Sequence, residues 1–397
     1  MRALRAAQVY DGAAFLGPAT VLVDGDSIVG VETGHPDLPD GTDVASYDGT
    51  LLPGLIDCHV HLVATSVVGS LEAAGSVTDD ELDERIRVSL TAQAAGGVTT
   101  VRDLGDRHYR TLEARALPGL PRVVAAGPPI TEPGGHCHYL GGEASGVDGV
   151  RRAVDEHAER GVDVIKVMAS GGMLTPGSDS FGTQFGDDEL RVAVEAAHDA
   201  GLRVLAHAHS LAGVRHALTA GVDGIEHFTG LTPEGLDLPE KLLAAVAEAG
   251  VQVCPTLGAD TSLYPPPDRM PPGLRVAFER MGLDFMSFHA ARINHMVRVR
   301  AHGIRVVTGT DAGISPAKAH GGAAFAVLDL VAAGYAVADA LATATSGAAE
   351  SCGLGTVTGA LRPGLAADLL VVDGDVSADP QALLRPAAVL VRGAQVS

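Results

Sequence analysis

The feature that most constrains this chain is a repeated period through its middle. Short apolar, β-branched runs end in small or polar residues and are followed by helical or long-loop sequence. The runs are Leu55–Leu62, Thr99–Gly105, Arg122–Gly127, Val164–Ser170, Arg203–Ser210, Gly224–Gly230, Gln252–Gly258 and Arg305–Gly313. Between them, the helical stretches Val150–Arg160, Glu189–Ala200, Pro239–Ala249 and Val276–His302 stop at Gly161, Gly201, Gly250 and Gly303. Eight such units predict an α/β chain folded as a (β/α)8 TIM barrel. An open, doubly wound sheet is the competing arrangement. It uses fewer strands and a Gly-rich first turn, and no GxGxxG follows the first run.

The two ends differ from the middle. Ala3–Tyr10, Thr20–Asp24, Ser27–Val31 and Thr50–Leu52 are short β-rich runs separated by Asp-Gly turns, and Asp368–Asp373 and Ala387–Arg392 have the same character. Neither end can bury a sturdy core alone, so the two are expected to pack as one small discontinuous β-sandwich. The chain then divides into a composite domain, 1–53 with 355–397, and a catalytic barrel, 54–354.

In a barrel the chemistry sits where the strands end. The first run carries His59 and His61, which share a face because strand side chains alternate. Lys166 lies inside an apolar run, where a lysine is costly unless it is paired or chemically changed. The fifth run carries His207 and His209, the sixth ends with His227 and the eighth with Asp311. Any one of these alone is as well explained by core hydrogen bonding, and Lys166 by a buried ion pair. Ligand-type residues at five strand ends are hard to explain by packing.

These residues, in this order, resemble the amidohydrolase superfamily: Gly54–His61, Lys166, His207, His227 and Thr310-Asp311. Ile165–Gly172, Thr99–Asp103 and Gly364–Leu369 resemble more narrowly its prolidase-like and imidazolonepropionase-like group. The resemblance spans nearly the whole chain. It implies two divalent metal ions, usually Zn2+: one on His59, His61 and Asp311, the other on His207 and His227. Lys166, carboxylated by carbon dioxide, would bridge them, because a carbamate is an anionic two-oxygen ligand. A hydroxide shared by the metals would attack an amide-type carbonyl, with Asp311 moving the proton to the leaving amine. His209 competes with His207 for its place; His207 is preferred because it precedes the strand end and matches the superfamily position.

The loop Gly134–Gly142 carries His136, His138 and Tyr139 and is not a phosphate loop, since it lacks the GK[ST] end. Similar loops in prolidase-like proteins imply a histidine donor to the substrate carbonyl; a flexible surface loop is the alternative. Tyr264 could cap the site from a Pro-rich loop, and Arg102 either meets substrate or forms a structural ion pair with Asp103. Gly171–Gly186 reads as a lid. His289, His295, His302 and His320 have no strand-end placement and are assigned to solvent or helix faces.

Net charge separates the partner classes. With 49 acidic against 28 basic residues, giving −21, the surface repels nucleic acid and anionic membranes. No apolar run spans a bilayer and no signal peptide opens the chain, while four scattered cysteines without CxxC pairing suit reduced thiols in the cytoplasm. The expected partner is a small-molecule substrate, with a homo-oligomer left open. The expected activity is hydrolysis of an Xaa-Pro-like dipeptide or an N-acyl amino acid. The alternatives are a cyclic amide, carbamate or lactone hydrolase, or a metal-dependent lyase or isomerase on the same site.

Overall fold

The computed structural model describes residues 1–270 and 272–397 of the 397-residue chain. Four strands open it: β1 (Arg2–Tyr10), β2 (Phe15–Asp24), β3 (Ser27–Thr33) and β4 (Asp43–Pro53). The central strands are β5 (Leu55–Val60), β6 (Val98–Asp103), β7 (Arg122–Ala125), β8 (Val164–Met168), β9 (Arg203–Ser210), β10 (Gly224–Thr232), the short β11 (Gly235–Leu236) and β12 (Gln252–Cys254). The chain closes with β13 (Leu369–Val372), β14 (Pro386–Val391) and β15 (Ala394–Gln395).

The terminal strands share one seven-stranded sheet in the order β15-β14-β13-β4-β1-β2-β3. All its pairs are antiparallel except β1 with β4. Residues alternate between its faces, as the pleat requires. Leu4, Val21, Leu51, Leu369 and Leu390 form a cluster of their own on one face. Leu52, Leu370, Val372 and Val389 point the other way and join the large central core. The sheet curls over its own cluster until Ser27, next to its β3 edge, bridges Ala366 just ahead of β13. The two packed layers expected from the sequence are thus one hydrogen-bonded sheet.

The central strands run parallel in two sets, β5-β6-β7 and β8-β9-β10, with β12 also beside β10. Single parallel bridges stand between the sets: Ile130–Val167 on one side, Val253–Val306 and Val60–Ala312 on the other. The run Arg305–Gly313, expected as an eighth strand, is held by these isolated bridges and not by a ladder. Its backbone bends because Asp311 sits at φ +64°. It also passes very close to β5, since a Cβ on Gly309 would lie 2.8 Å from that of His59.

The helices over 146–160, 187–199 and 240–249 match the sequence expectation within a few residues. The expected helix Val276–His302 is two helices, Pro272–Met281 and Phe285–Ala301. Asp284 starts the second by accepting the Ser287 N–H at 2.7 Å, an N-cap hidden inside a helical period. Among the described residues, no helix is long and apolar enough to cross a membrane.

Candidate active site

The end of β5 sets the geometry. Asp57, His59 and His61 alternate along the backbone, and Asp57 is wholly buried. Its carboxylate accepts the backbone N–H of His59 at 3.2 Å and of Thr310 at 3.0 Å, and the Thr310 hydroxyl at 2.5 Å. The Asp311 N–H donates to the His59 carbonyl at 2.8 Å. These bonds fix Asp311 against the two histidines: its Oδ1 lies 3.5 Å from His59 Nε2 and 3.2 Å from His61 Nε2. His207, His209 and His227 form a second group, with ring nitrogens mutually within 4.8 Å. The two groups adjoin, since the His59 and His227 ring centroids are 5.0 Å apart.

Each imidazole has one nitrogen engaged by an outer partner, which leaves the other free to bind an ion. His59 Nδ1 meets Glu226 Oε2 at 2.6 Å, His61 Nδ1 the Gly105 carbonyl at 3.3 Å and His227 Nδ1 the Thr256 hydroxyl at 2.8 Å. His207 Nε2 meets the Gly171 carbonyl at 3.2 Å, and His209 Nδ1 the Thr229 hydroxyl at 2.9 Å. Burial is the main force holding His207, His209 and His227 well below the usual histidine range, and it takes His59 down to about 4. All four therefore offer lone pairs at neutral pH. Burial opposes ionisation of Asp311, but the His61 hydrogen bond and nearby positive groups outweigh it and hold its carboxyl far below the usual range.

Lys166 is 1 % exposed, and its Nζ has no hydrogen-bond partner among the described residues. Burial pushes its ammonium down, more than Glu226 and Asp311 hold it up. A partnerless buried ammonium is unfavourable, whereas a carbamate on the same nitrogen between two cations is not. Burial also opposes the charged form of His61, but its hydrogen bond to Asp311 and that carboxylate's charge outweigh it and raise the imidazole, a proton that a bound cation would displace. The donor set therefore fits divalent metal: four imidazoles held neutral by burial, a His61–Asp311 pair and an orphaned lysine. Two further strains lie at the same place. His227 and Thr256 adopt left-handed backbone at φ +68° and +45°, conformations that cost about 1–3 kcal/mol each and gather at functional sites.

The remaining sequence candidates divide. His136 lines the cavity above the cluster, and its Nδ1 contacts the Thr175 hydroxyl at 2.7 Å. Tyr264 lines it too, stacked on Phe285 at 4.6 Å. His138 and Tyr139 lie outside that wall: His138 Nδ1 turns back to the Gly135 carbonyl at 3.0 Å, and the Tyr139 hydroxyl donates to Cys137 Sγ at 3.6 Å. Arg102 does not contact the cavity either. It is buried beneath it, donating to the Cys58 carbonyl at 2.8 Å and the Ser351 hydroxyl at 2.9 Å, with Glu226 at 3.6 Å. Its ion partner is thus Glu226 and not its sequence neighbour Asp103, which accepts the Leu62 and Gly105 N–H groups. The segment 171–186 meets the cluster through the Gly171 carbonyl on His207, and through buried Thr175 and Gln184 it holds the His136 ring and the His136 N–H.

Several functional residues escaped the sequence reading. Glu226 orients His59, and the signal was present: a charge inside an apolar strand, as with Lys166. His289, assigned to solvent or a helix face, lines the cavity and is held by Asp329 at 3.1 Å. His295 and His320 are also largely buried, with burial pulling each down to about 4, while His302 pairs with Glu240 at the surface. Arg292 and Lys318 border the cavity as cations. The cavity is ≈ 240 Å³, with the histidine cluster as its floor and Met173, Leu274, Phe278, Phe285, Phe288 and Ile314 among its walls.

This arrangement matches a known group of proteins. The profile of the Amidohydrolase family matches residues 50–396, so the chain belongs to that family. An uncharacterized protein of Mycobacterium tuberculosis is 28% identical over 360 residues, 89% of this chain and 87% of the relative. Ochratoxinase of Aspergillus niger is 29% identical over 264 residues, 58% of this chain and 55% of its own. Imidazolonepropionase of Mesorhizobium japonicum is 26% identical, with 94% and 91% covered. Among solved structures, a Xaa-Pro dipeptidase with bound methionine aligns at TM-score 0.86 and 25% identity over 99% of both chains. A prolidase complexed with N-methylphosphonate-L-proline aligns at 0.83 and 27% identity, covering 99% of this chain and 98% of its own. The protein is an enzyme, a hydrolase acting on carbon–nitrogen bonds.

Proposed function

We propose that the enzyme hydrolyses the amide bond of Xaa-Pro-like dipeptides or N-acyl amino acids with two divalent metal ions, zinc first among them. The observation that carries this reading is the convergence of His59, His61, His207, His227, Asp311 and partnerless Lys166 on one cavity floor. His59, His61 and Asp311 would hold one ion, and His207 and His227 the other. His207 is preferred to His209, the more exposed of the two and the one stacked on His227 at 4.2 Å. Carboxylated Lys166 would reach both ions. Such ions ionise water at neutral pH and polarise a carbonyl. Asp311 takes the proton of the attacking water and delivers it to the departing nitrogen. His136, with Nδ1 engaged by Thr175, directs Nε2 into the cavity as a donor to the carbonyl oxygen.

The printed activities of the dipeptidase, prolidase and ochratoxinase support an amide substrate, and imidazolonepropionase supports a cyclic amide as the second choice. The parallel bridges between the two strand sets support a closed (β/α)8 barrel as the catalytic domain, 54–354, beside a composite domain from 1–53 and 355–397. Elemental analysis of protein expressed with added zinc should give about two metals per chain. A screen of dipeptides, acyl amino acids and cyclic amides should yield products heavier than substrate by one water. A stoichiometry fixed at one in zinc excess, or products without added water, would overturn the reading.

Glu226 supplies a further expected result. Its carboxylate holds His59 Nδ1 and pairs with buried Arg102. Glu226→Gln should therefore lower stability by up to ~3–5 kcal/mol, the cost of breaking a buried ion pair. It should also weaken metal retention of the folded protein about 10–100-fold, the usual cost of losing an outer partner of a ligand. Competition against a chelator reads this directly. Unchanged retention would mean that the His59 ring is fixed by packing alone.

A further inference from the structure

We propose that Arg292 receives the carboxylate of the leaving amino acid, and that the aromatic wall beside it selects an apolar side chain on that same residue. The inference rests on the amide-hydrolase reading above and specifies which half of the substrate the cavity recognises. Arg292 projects from the Phe285–Ala301 helix into the cavity wall and is 9 % exposed. Among the described residues no carboxylate lies within salt-bridge distance of it. Its guanidinium donates to the Thr256 carbonyl at 3.3 Å, to the Pro255 carbonyl and to the Thr256 hydroxyl at 3.2 Å. A guanidinium has five N–H groups, so two remain, on Nε and Nη1. A buried cation without a counter-ion, yet with donors to spare, is a place for a ligand's anion.

Lys318 provides the contrast. It is the other cation on this wall, but its ammonium is spent on three backbone carbonyls, of Thr256, Leu257 and Thr310. It contributes positive field and has no donor left.

Position sets the substrate class. The Thr256 hydroxyl touches both Arg292 and His227 Nδ1, so one hydroxyl separates the guanidinium from a ring on the cavity floor. A carboxylate one carbon away from the scissile nitrogen spans so short a gap, whereas one at the end of a side chain overshoots it. The substrate's leaving group is therefore an α-amino acid with a free carboxylate. The Arg292 guanidinium lies 5.8 Å from the Phe288 ring centre, and Phe278 packs against both Phe288 and Phe285, each with ring centroids 5.0 Å away. These rings place apolar surface beside the anchored carboxylate, where the amino acid's side chain falls.

The test uses N-benzyl-L-phenylalanine, in which a methylene replaces the scissile carbonyl, and its neutral carboxamide. Binding of each to the purified metal-containing enzyme is measured by calorimetry. The wild type should hold the acid about 10–100-fold more tightly than the carboxamide, the scale of charge-assisted hydrogen bonds. Arg292→Gln should abolish that preference and leave carboxamide binding unchanged. Arg292→Lys, which keeps the charge, should retain part of it and serves in place of Arg292→Gln if that variant does not fold. No preference in the wild type, or equal loss of both ligands in the folded variant, would overturn the proposal and leave Arg292 as a brace for Pro255 and Thr256. Because binding is read without turnover, failure of the enzyme to cleave any amide would count against the hydrolase reading alone.

Discussion

Replacing Asp311 with asparagine should leave a folded, partly metal-loaded protein whose amide turnover is lower by at least ~10²–10⁴-fold, the typical worth of general acid–base help. Asparagine is the informative choice because residue 311 has left-handed backbone at φ +64°, a region that asparagine tolerates better than most side chains. It can still present an oxygen toward His59 and His61. What it loses is the ability to take a proton from water and return it to the departing nitrogen. An activated ester leaves without that proton, so its loss should be smaller than an amide's. Parallel kinetics on both substrates decide the matter. Equal losses would confine Asp311 to metal and water, and no loss on either would remove it from catalysis.

Lys166→Ala should show an equally large loss with a different signature. Metal content should drop from about two toward one per chain, and turnover should fall with it. Short carboxylic acids should restore part of both, because their oxygens can stand where the carbamate oxygens were. Stability separates this role from a structural one. Breaking a true buried ion pair costs ~3–5 kcal/mol, but among the described residues Lys166 Nζ has no partner to lose. Thermal unfolding of metal-free protein should therefore show no drop of that size. Wild-type turnover and metal content in Lys166→Ala, with a large fall in Tm, would make Lys166 an ion-pair residue.

The floor of the site was legible in the sequence because strands write their faces plainly. Ligand-type side chains at strand ends interrupt apolar runs, so His59, His61, Lys166, His207, His227 and Asp311 stood out, and the structure brings them to one cavity. The walls were not legible. Arg292 and His289 come from a helix whose 3.6 period gives no hint of which face meets a cavity, and Lys318 comes from a loop with no period at all. Arg102 takes the structural of its two expected roles, but its ion partner was not legible: its neighbour in sequence, Asp103, is not its partner in space, and Glu226 is. At the N-terminus, Asp48-Gly49 looked like a turn, yet it lies within β4. There the chain passes so close to β13 that a Cβ on Gly49 would sit 1.9 Å from the Val372 carbonyl oxygen. A glycine demanded by a crowded sheet and one demanded by a turn look alike in one dimension.

The pairing of β4 with β13 also dictates the order in which the molecule can be made. Leu51 and Leu52 emerge from the ribosome early, but the strand that covers their edge begins at Leu369. At bacterial or eukaryotic elongation speeds of about 5–20 residues per second, the wait is roughly 15–60 s. Throughout it, an apolar strand edge stands open to any other nascent chain. Production of this enzyme is thus a race between the arrival of its last strands and capture of its first ones. Slower synthesis, or a chaperone that holds unpaired strands, should change soluble yield without touching the folded protein's stability.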